Sequence, residues 1–116
     1  MASHLGEFEQ LVLFALLRLQ ETAYGVSIRQ QIEARTGRDV AAGAVYTTLA
    51  RLEGRGLVTS RIAETTPERG GRRRKYYALT GAGAEALQRS FGDIREMARG
   101  LMPRLADMAN GESPAE

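Results

Sequence analysis

The hydrophobic period of this chain switches from helical to extended and back again, and no other feature limits its fold so tightly. Up to about residue 54 the apolar positions recur at helical spacing; Leu57–Ile62 and Arg74–Leu79 are β-branched or aromatic and extended in character; from Thr80 the helical period returns. The first helix is expected over about Gly6–Glu21, where Leu5, Phe8, Val12, Ala15, Leu16 and Leu19 form one stripe and Leu11, Leu13, Phe14 and Leu17 widen it almost all round. A helix apolar on every side must be buried on every side. That favours packing against both its own domain and a second subunit, the alternative being a purely central core helix.

The second helix is expected over Tyr24–Thr36, with Tyr24, Ile28 and Ile32 at fourth-residue spacing and Gly37 as its stop. A short link leads to a third helix, Ala42–Gly54. There Val45, Leu49 and Leu52 share one narrow arc, Gly43, Thr47, Ala50, Arg51 and Gly54 lie opposite, and Tyr46 stands at the border. Pro67 and Gly70-Gly71 break the segment between the two extended runs, which predicts a hairpin with a polar, basic tip. Tyr76 and Tyr77 read as strand residues, one packed inward and one lying over the sheet. Thr80 is suited to cap a last helix over Gly81–Ala109. Its apolar residues Leu87, Phe91, Ile94, Ala98, Leu101, Leu105 and Met108 make a heptad seam suited to a partner helix, and Pro103 should kink or break it near Met102.

These elements predict a mostly α (α+β) fold: a winged helix-turn-helix with a two-stranded wing over residues 1–80, a C-terminal dimerisation helix over 81–109, and a disordered tail over 110–116. The homodimer interface is expected at Leu87, Phe91, Ile94, Ala98, Leu101 and Leu105. The seam could instead fold back on the first helix of its own subunit, but its length of roughly 33 Å exceeds what one small domain covers.

Composition narrows the function classes. With no cysteine there is no disulfide, thiol nucleophile or thiolate metal site. His4, the only histidine, stands near the start, so neither a metal centre nor a serine–histidine pair is expected; no catalytic residues and no cofactor are assigned. The Gly70-Gly71 pair is not a phosphate-binding loop, because no Gly-Lys-Ser/Thr follows it. The longest apolar run, Leu11–Leu17, is far too short for a membrane span, and the acidic start does not resemble a signal peptide, which makes the cytoplasm the default location.

The net charge of +2 is unevenly divided. Residues 51–77 carry seven arginines and Lys75 against Glu53, Glu64 and Glu68, while the segments on either side are net negative. A local basic excess beside a helix-turn-helix points to duplex DNA. On this reading the third helix enters the major groove with Gly43, Tyr46, Thr47 and Arg51, and the wing lays Arg69, Arg72, Arg73, Arg74 and Lys75 along the flanking backbone or minor groove. The alternative is a winged-helix protein-interaction module without DNA binding, which an apolar third-helix face would favour.

The segments LGEFEQLVLFALL at 5–17, YGVSIRQQIEARTGR at 24–38, GAVYTTLARLEGRGLV at 43–58 and GGRRRKYYALTGAG at 70–83 closely resemble the PadR family of transcriptional regulators. The most specific pieces are Gly43-x-Val45-Tyr46-x-x-Leu49-x-Arg51-Leu52-Glu53 and Tyr76-Tyr77-x-Leu79-Thr80-x-x-Gly83. The resemblance, over about residues 5–87, implies a dimeric repressor released from its operator by a small molecule or stress signal, of the compact branch with one helix after the wing. It also allows a drug-sized or phenolic effector at the dimer interface near the first and last helices, where only Phe8, Phe14 and Phe91 could supply aromatic surface. One departure is Ala41-Ala42, where the family commonly has a serine, often followed by proline, entering the third helix. An N-cap is lost there, worth roughly 1 kcal/mol, and Asp39 is expected to compensate only in part.

Overall fold

In the computed structural model, which describes residues 4–64 and 73–111, helix α1 (Glu7–Leu19) is the axis around which the other elements assemble. Its first turn carries Glu7 and Glu9 where the helix dipole favours negative charge, and a Glu9 carboxylate oxygen accepts the Gly6 N–H at 2.9 Å. Val12, Leu13, Ala15 and Leu16 are buried because α1 packs against three helices and a strand of its own domain. That accounts for most of its apolar circumference within the chain itself; Leu17, 51% exposed, marks the side left uncovered. The helix gives way to a 3-10 turn, Gln20–Thr22, two residues before its expected end.

Helix α2 (Gly25–Thr36) ends as the pattern predicts. Gly37 adopts the left-handed conformation (φ 73°) and its N–H returns to the Glu33 carbonyl at 2.9 Å. The turn to α3 (Ala42–Gly54) is pinned by Glu33, whose carboxylate accepts the N–H of buried Val40 at 3.0 Å. The arc of Val45, Leu49 and Leu52 is fully buried against Ile28 and the α1 core. No side chain of Ala41 caps α3, and Asp39 is exposed and makes no hydrogen bond among the described residues, so the expected partial compensation is not present.

Strands β1 (Val58–Glu64) and β2 (Arg73–Leu79) pair antiparallel in the register Val58↔Leu79 through Glu64↔Arg73. A third segment joins the sheet. Tyr24 bridges Tyr76, and the Tyr77 N–H donates to the Ala23 carbonyl at 2.9 Å, so the residues before α2 cover an otherwise open edge of β2.

Thr80 caps α4 (Gly81–Ala98) as its position predicts: its Oγ1 accepts the Gly83 N–H at 3.0 Å while the hydroxyl donates to the Gly56 carbonyl at 2.8 Å. The single helix expected to Ala109 is instead two. Helix α4 stops at Ala98, Gly100 takes a left-handed conformation (φ 78°), and α5 runs over Met102–Ala109. Pro103 is therefore not the breaking residue. It sits in the first turn of α5, where its missing N–H removes no helical hydrogen bond, and the break falls where glycine tolerates positive φ. No residue of α5 is buried, and the molecule measures 64 × 36 × 21 Å with this arm extended.

Candidate nucleic-acid interface

Burial of Val45, Leu49 and Leu52 dictates which side of α3 is open. The residues opposite, Gly43, Thr47, Ala50 and Gly54, are all exposed, and a methyl group added at Gly43 or Gly54 would meet nothing within 4 Å. The strip is smooth and uncharged, so a surface as curved as a DNA groove could approach it closely. Tyr46, on its border, is 48% exposed and has a structural duty as well. Its phenol end lies on Gly25 at the start of α2, and a Cβ at position 25 would overlap the Tyr46 ring and hydroxyl. This close approach sets the crossing of α2 and α3.

Arg51 is less free than its place on the helix suggests. Its guanidinium lies 3.5 Å from Glu9 of α1, and the same carboxylate oxygen is 3.6 Å from Arg55. Nothing in the local pattern of α3 carries this pairing, because its acidic partner is more than forty residues away in sequence. The only local signal at Glu9 is its place in the first turn of α1, which foretells a cap and not a clamp.

The wing divides its basic residues between its faces. Arg73 is exposed at the outer end of β2. Lys75 points to the α3 side, its Nζ 3.7 Å from Glu53, which also accepts the Ser60 hydroxyl at 2.6 Å. Tyr77 follows on that side and is buried; burial raises its phenol pKa above the ordinary value, Lys75 opposes the rise, and Glu53 and Tyr46 add to it. On the other face Arg74 lies over the Tyr24 ring at 4.0 Å, Tyr24 meets Tyr76 edge-on at 5.8 Å, and Arg61 lies over Tyr76 at 4.7 Å. Arg74 and Lys75 are thus engaged within the fold, and Arg69 and Arg72 lie outside the described residues.

Three helices with an open third face, followed by a hairpin and a glycine-rich α4 start, are the layout that the sequence comparison then matches: the family model for the transcriptional regulator PadR-like family covers residues 13–89. The chain belongs to the PadR-like family. Among solved structures it is similar to a PadR family transcription regulator from hypervirulent Clostridium difficile R20291, at 27% identity and a TM-score of 0.67 over 86% of this chain and 99% of that one. A PadR family transcriptional regulator from Eggerthella lenta DSM 2243 matches at 29% identity and a TM-score of 0.64, over 85% and 86% of the two chains. No curated protein matches. The PadR-like family is one of transcriptional regulators, and the winged-helix layout of this chain matches their solved structures.

In this PadR-like chain the apolar seam is split by burial. Leu87 belongs to the core of the chain, and Phe91 makes an edge-to-face pair with Phe14 of α1 at 5.2 Å. Ala98 is half-buried, whereas Ile94, Leu101 and Leu105 are more than half exposed, as are Met97, Met102 and Met108, which the heptad either passes over or extends. Two shallow apolar grooves of about 340 and 310 Å³ flank the Phe14–Phe91 pair; Phe8 lines neither. Among the described residues no group of three potential metal ligands occurs, and no helix is long and apolar enough to cross a membrane.

Proposed function

We propose that a homodimer of this chain represses transcription by binding an inverted-repeat operator, with α3 of each subunit in the major groove and the wing along the flanking backbone. The observation that carries this reading is the open strip Gly43–Thr47–Ala50–Gly54, presented opposite the buried arc of α3. Thr47, its one hydrogen-bonding side chain, is assigned to a base edge. Tyr46 is assigned to a phosphate, and Arg69, Arg72 and Arg73 to the sequence-independent attraction. Arg51, Arg74 and Lys75, paired with Glu9, the Tyr24 ring and Glu53, add no phosphate contact of their own on this reading.

The uncovered apolar residues Ile94, Leu101 and Leu105, continued from Phe91 and the exposed Leu17, support the dimer. A two-fold dimer of this kind reads half-sites about one helical turn apart, roughly 34–36 Å. A small apolar effector entering the grooves beside Phe14 and Phe91 would alter the α1–α4 packing and with it the spacing of the two α3 helices.

Titrating binding to random duplex fragments and to the DNA upstream of the gene at several salt concentrations tests the proposal. Saturable binding to one short inverted repeat is expected. Arg72→Ala and Arg73→Ala should weaken binding to all sequences and flatten the salt dependence by about 0.9 for each phosphate no longer neutralised, and Thr47 substitution should change the preference between sequences. Wing variants with full affinity and an unchanged slope would overturn the role given to the wing.

A further inference from the structure

Two arginines, Arg51 of α3 and Arg55 just after it, both pair with one acid. Arg51 and Arg55 share a single Glu9 oxygen at 3.5 and 3.6 Å, while the other Glu9 oxygen is occupied by the Gly6 N–H at 2.9 Å. The Glu9 side chain is only 12% exposed, so it cannot follow the arginines outward without uncapping α1. The Arg51 side chain is 53% exposed and could swing away on its flexible stem if released. Its departure would leave a largely buried carboxylate with less compensation, which opposes the move. Ordinary surface ion pairs are weak because both partners are solvated; here one partner is enclosed and anchored.

We propose that Glu9 is a specificity-determining residue: it restrains Arg51 and Arg55 so that the third helix meets DNA without a mobile cation on its flank. This rests on the DNA-binding reading above. Phosphate contacts add affinity for every sequence. In a loosely docked, non-specific complex a freed arginine could reach whichever phosphate lies nearest. With α3 seated in its groove that freedom is small, so releasing the arginines strengthens wrong binding more than right binding. Glu9 leaves the wing to supply general attraction and the neutral strip of α3 to discriminate.

The test compares wild type with Glu9→Gln, which keeps an oxygen for the Gly6 N–H but removes the charge. Binding to the selected operator and to a scrambled duplex of equal length is measured between 50 and 200 mM salt. For the scrambled duplex, Glu9→Gln should steepen the salt slope by about 0.9 for each arginine that moves to a phosphate, an extra 3.5-fold or so of salt sensitivity over that range. The ratio of operator to scrambled affinity should fall about threefold or more at low salt, by the same counterion argument. Adding Arg51→Ala and Arg55→Ala to Glu9→Gln should restore the wild-type slope, whereas those two changes with Glu9 intact should leave it unchanged. The second comparison holds even if Glu9→Gln does not fold. An unchanged slope in folded Glu9→Gln, or a flatter slope in Arg51→Ala/Arg55→Ala, would overturn the inference. Wild type that binds neither duplex would instead refute DNA binding itself.

Discussion

Gly83 offers the sharpest test of how the wing is joined to α4. The helix begins so close to the start of β1 that a Cβ at Gly83 would collide with the Leu57 carbonyl oxygen and come within 2.7 Å of Leu79 Cδ1. The Leu57 oxygen belongs to the backbone and already accepts the Thr80 N–H at 3.1 Å, so it cannot rotate aside. Gly83→Ala must therefore push the first turn of α4 outward. Overpacking of this kind costs about 1–3 kcal/mol. The bonds from Thr80 to Leu57 and Gly56 are strained with it, at about 1 kcal/mol each if broken. Alanine's better helix propensity returns about 1 kcal/mol. The net destabilisation is about 3 kcal/mol, a fall in Tm of roughly 12 °C for a domain of this size. The control is Gly81→Ala in the same turn, where a Cβ meets nothing within 4 Å and a stabilisation of about 0.4–1 kcal/mol is expected from the stiffer unfolded chain. Thermal unfolding of both variants at one fixed protein concentration decides the matter. Equal effects of the two substitutions would refute the close-approach argument.

Three further outcomes follow from burial and exposure. Leu87→Ala should cost about 2–5 kcal/mol in denaturant unfolding as a core truncation, whereas Leu105→Glu, on the exposed arm, should leave subunit folding intact and reduce self-association in sedimentation; a dimer undisturbed by Leu105→Glu would place the interface elsewhere. Tyr77 has its pKa raised by burial, so the folded state holds its proton where the unfolded state releases it. Its contribution is therefore intact below the ordinary tyrosine pKa of about 10 and is lost as pH rises above it. Tyr77→Phe should show a shallower loss of stability than wild type in that range, read by urea midpoints from pH 8 to 11.

Features governed by neighbours in sequence are legible from residue types. The buried arc of α3 follows from the positions of Val45, Leu49 and Leu52, the end of α2 from Gly37, the start of α4 from Thr80, and the hairpin from the change of period, because each depends on spacing or on one cap. The break before α5 is misplaced by the pattern because proline is the louder local signal than glycine. Pro103 is harmless in a first turn, while Gly100 alone permits the reversal of φ that ends α4.

The roles of individual side chains are decided between segments. Position in the pattern puts Arg51, Arg74 and Lys75 among the groups that face DNA; folding brings Glu9, the Tyr24 ring and Glu53 against them. Gly25 has no evident purpose in sequence until Tyr46 lies on it, and the Tyr24–Tyr76 bridge joins residues with no local reason to meet. Period, caps and charge by themselves determined that this chain is a winged helix with one basic hairpin, since those signals act over a few residues. Which of its described cations are paired within the fold was decided only by the tertiary structure, because an ion pair depends on distances through space that no local pattern encodes.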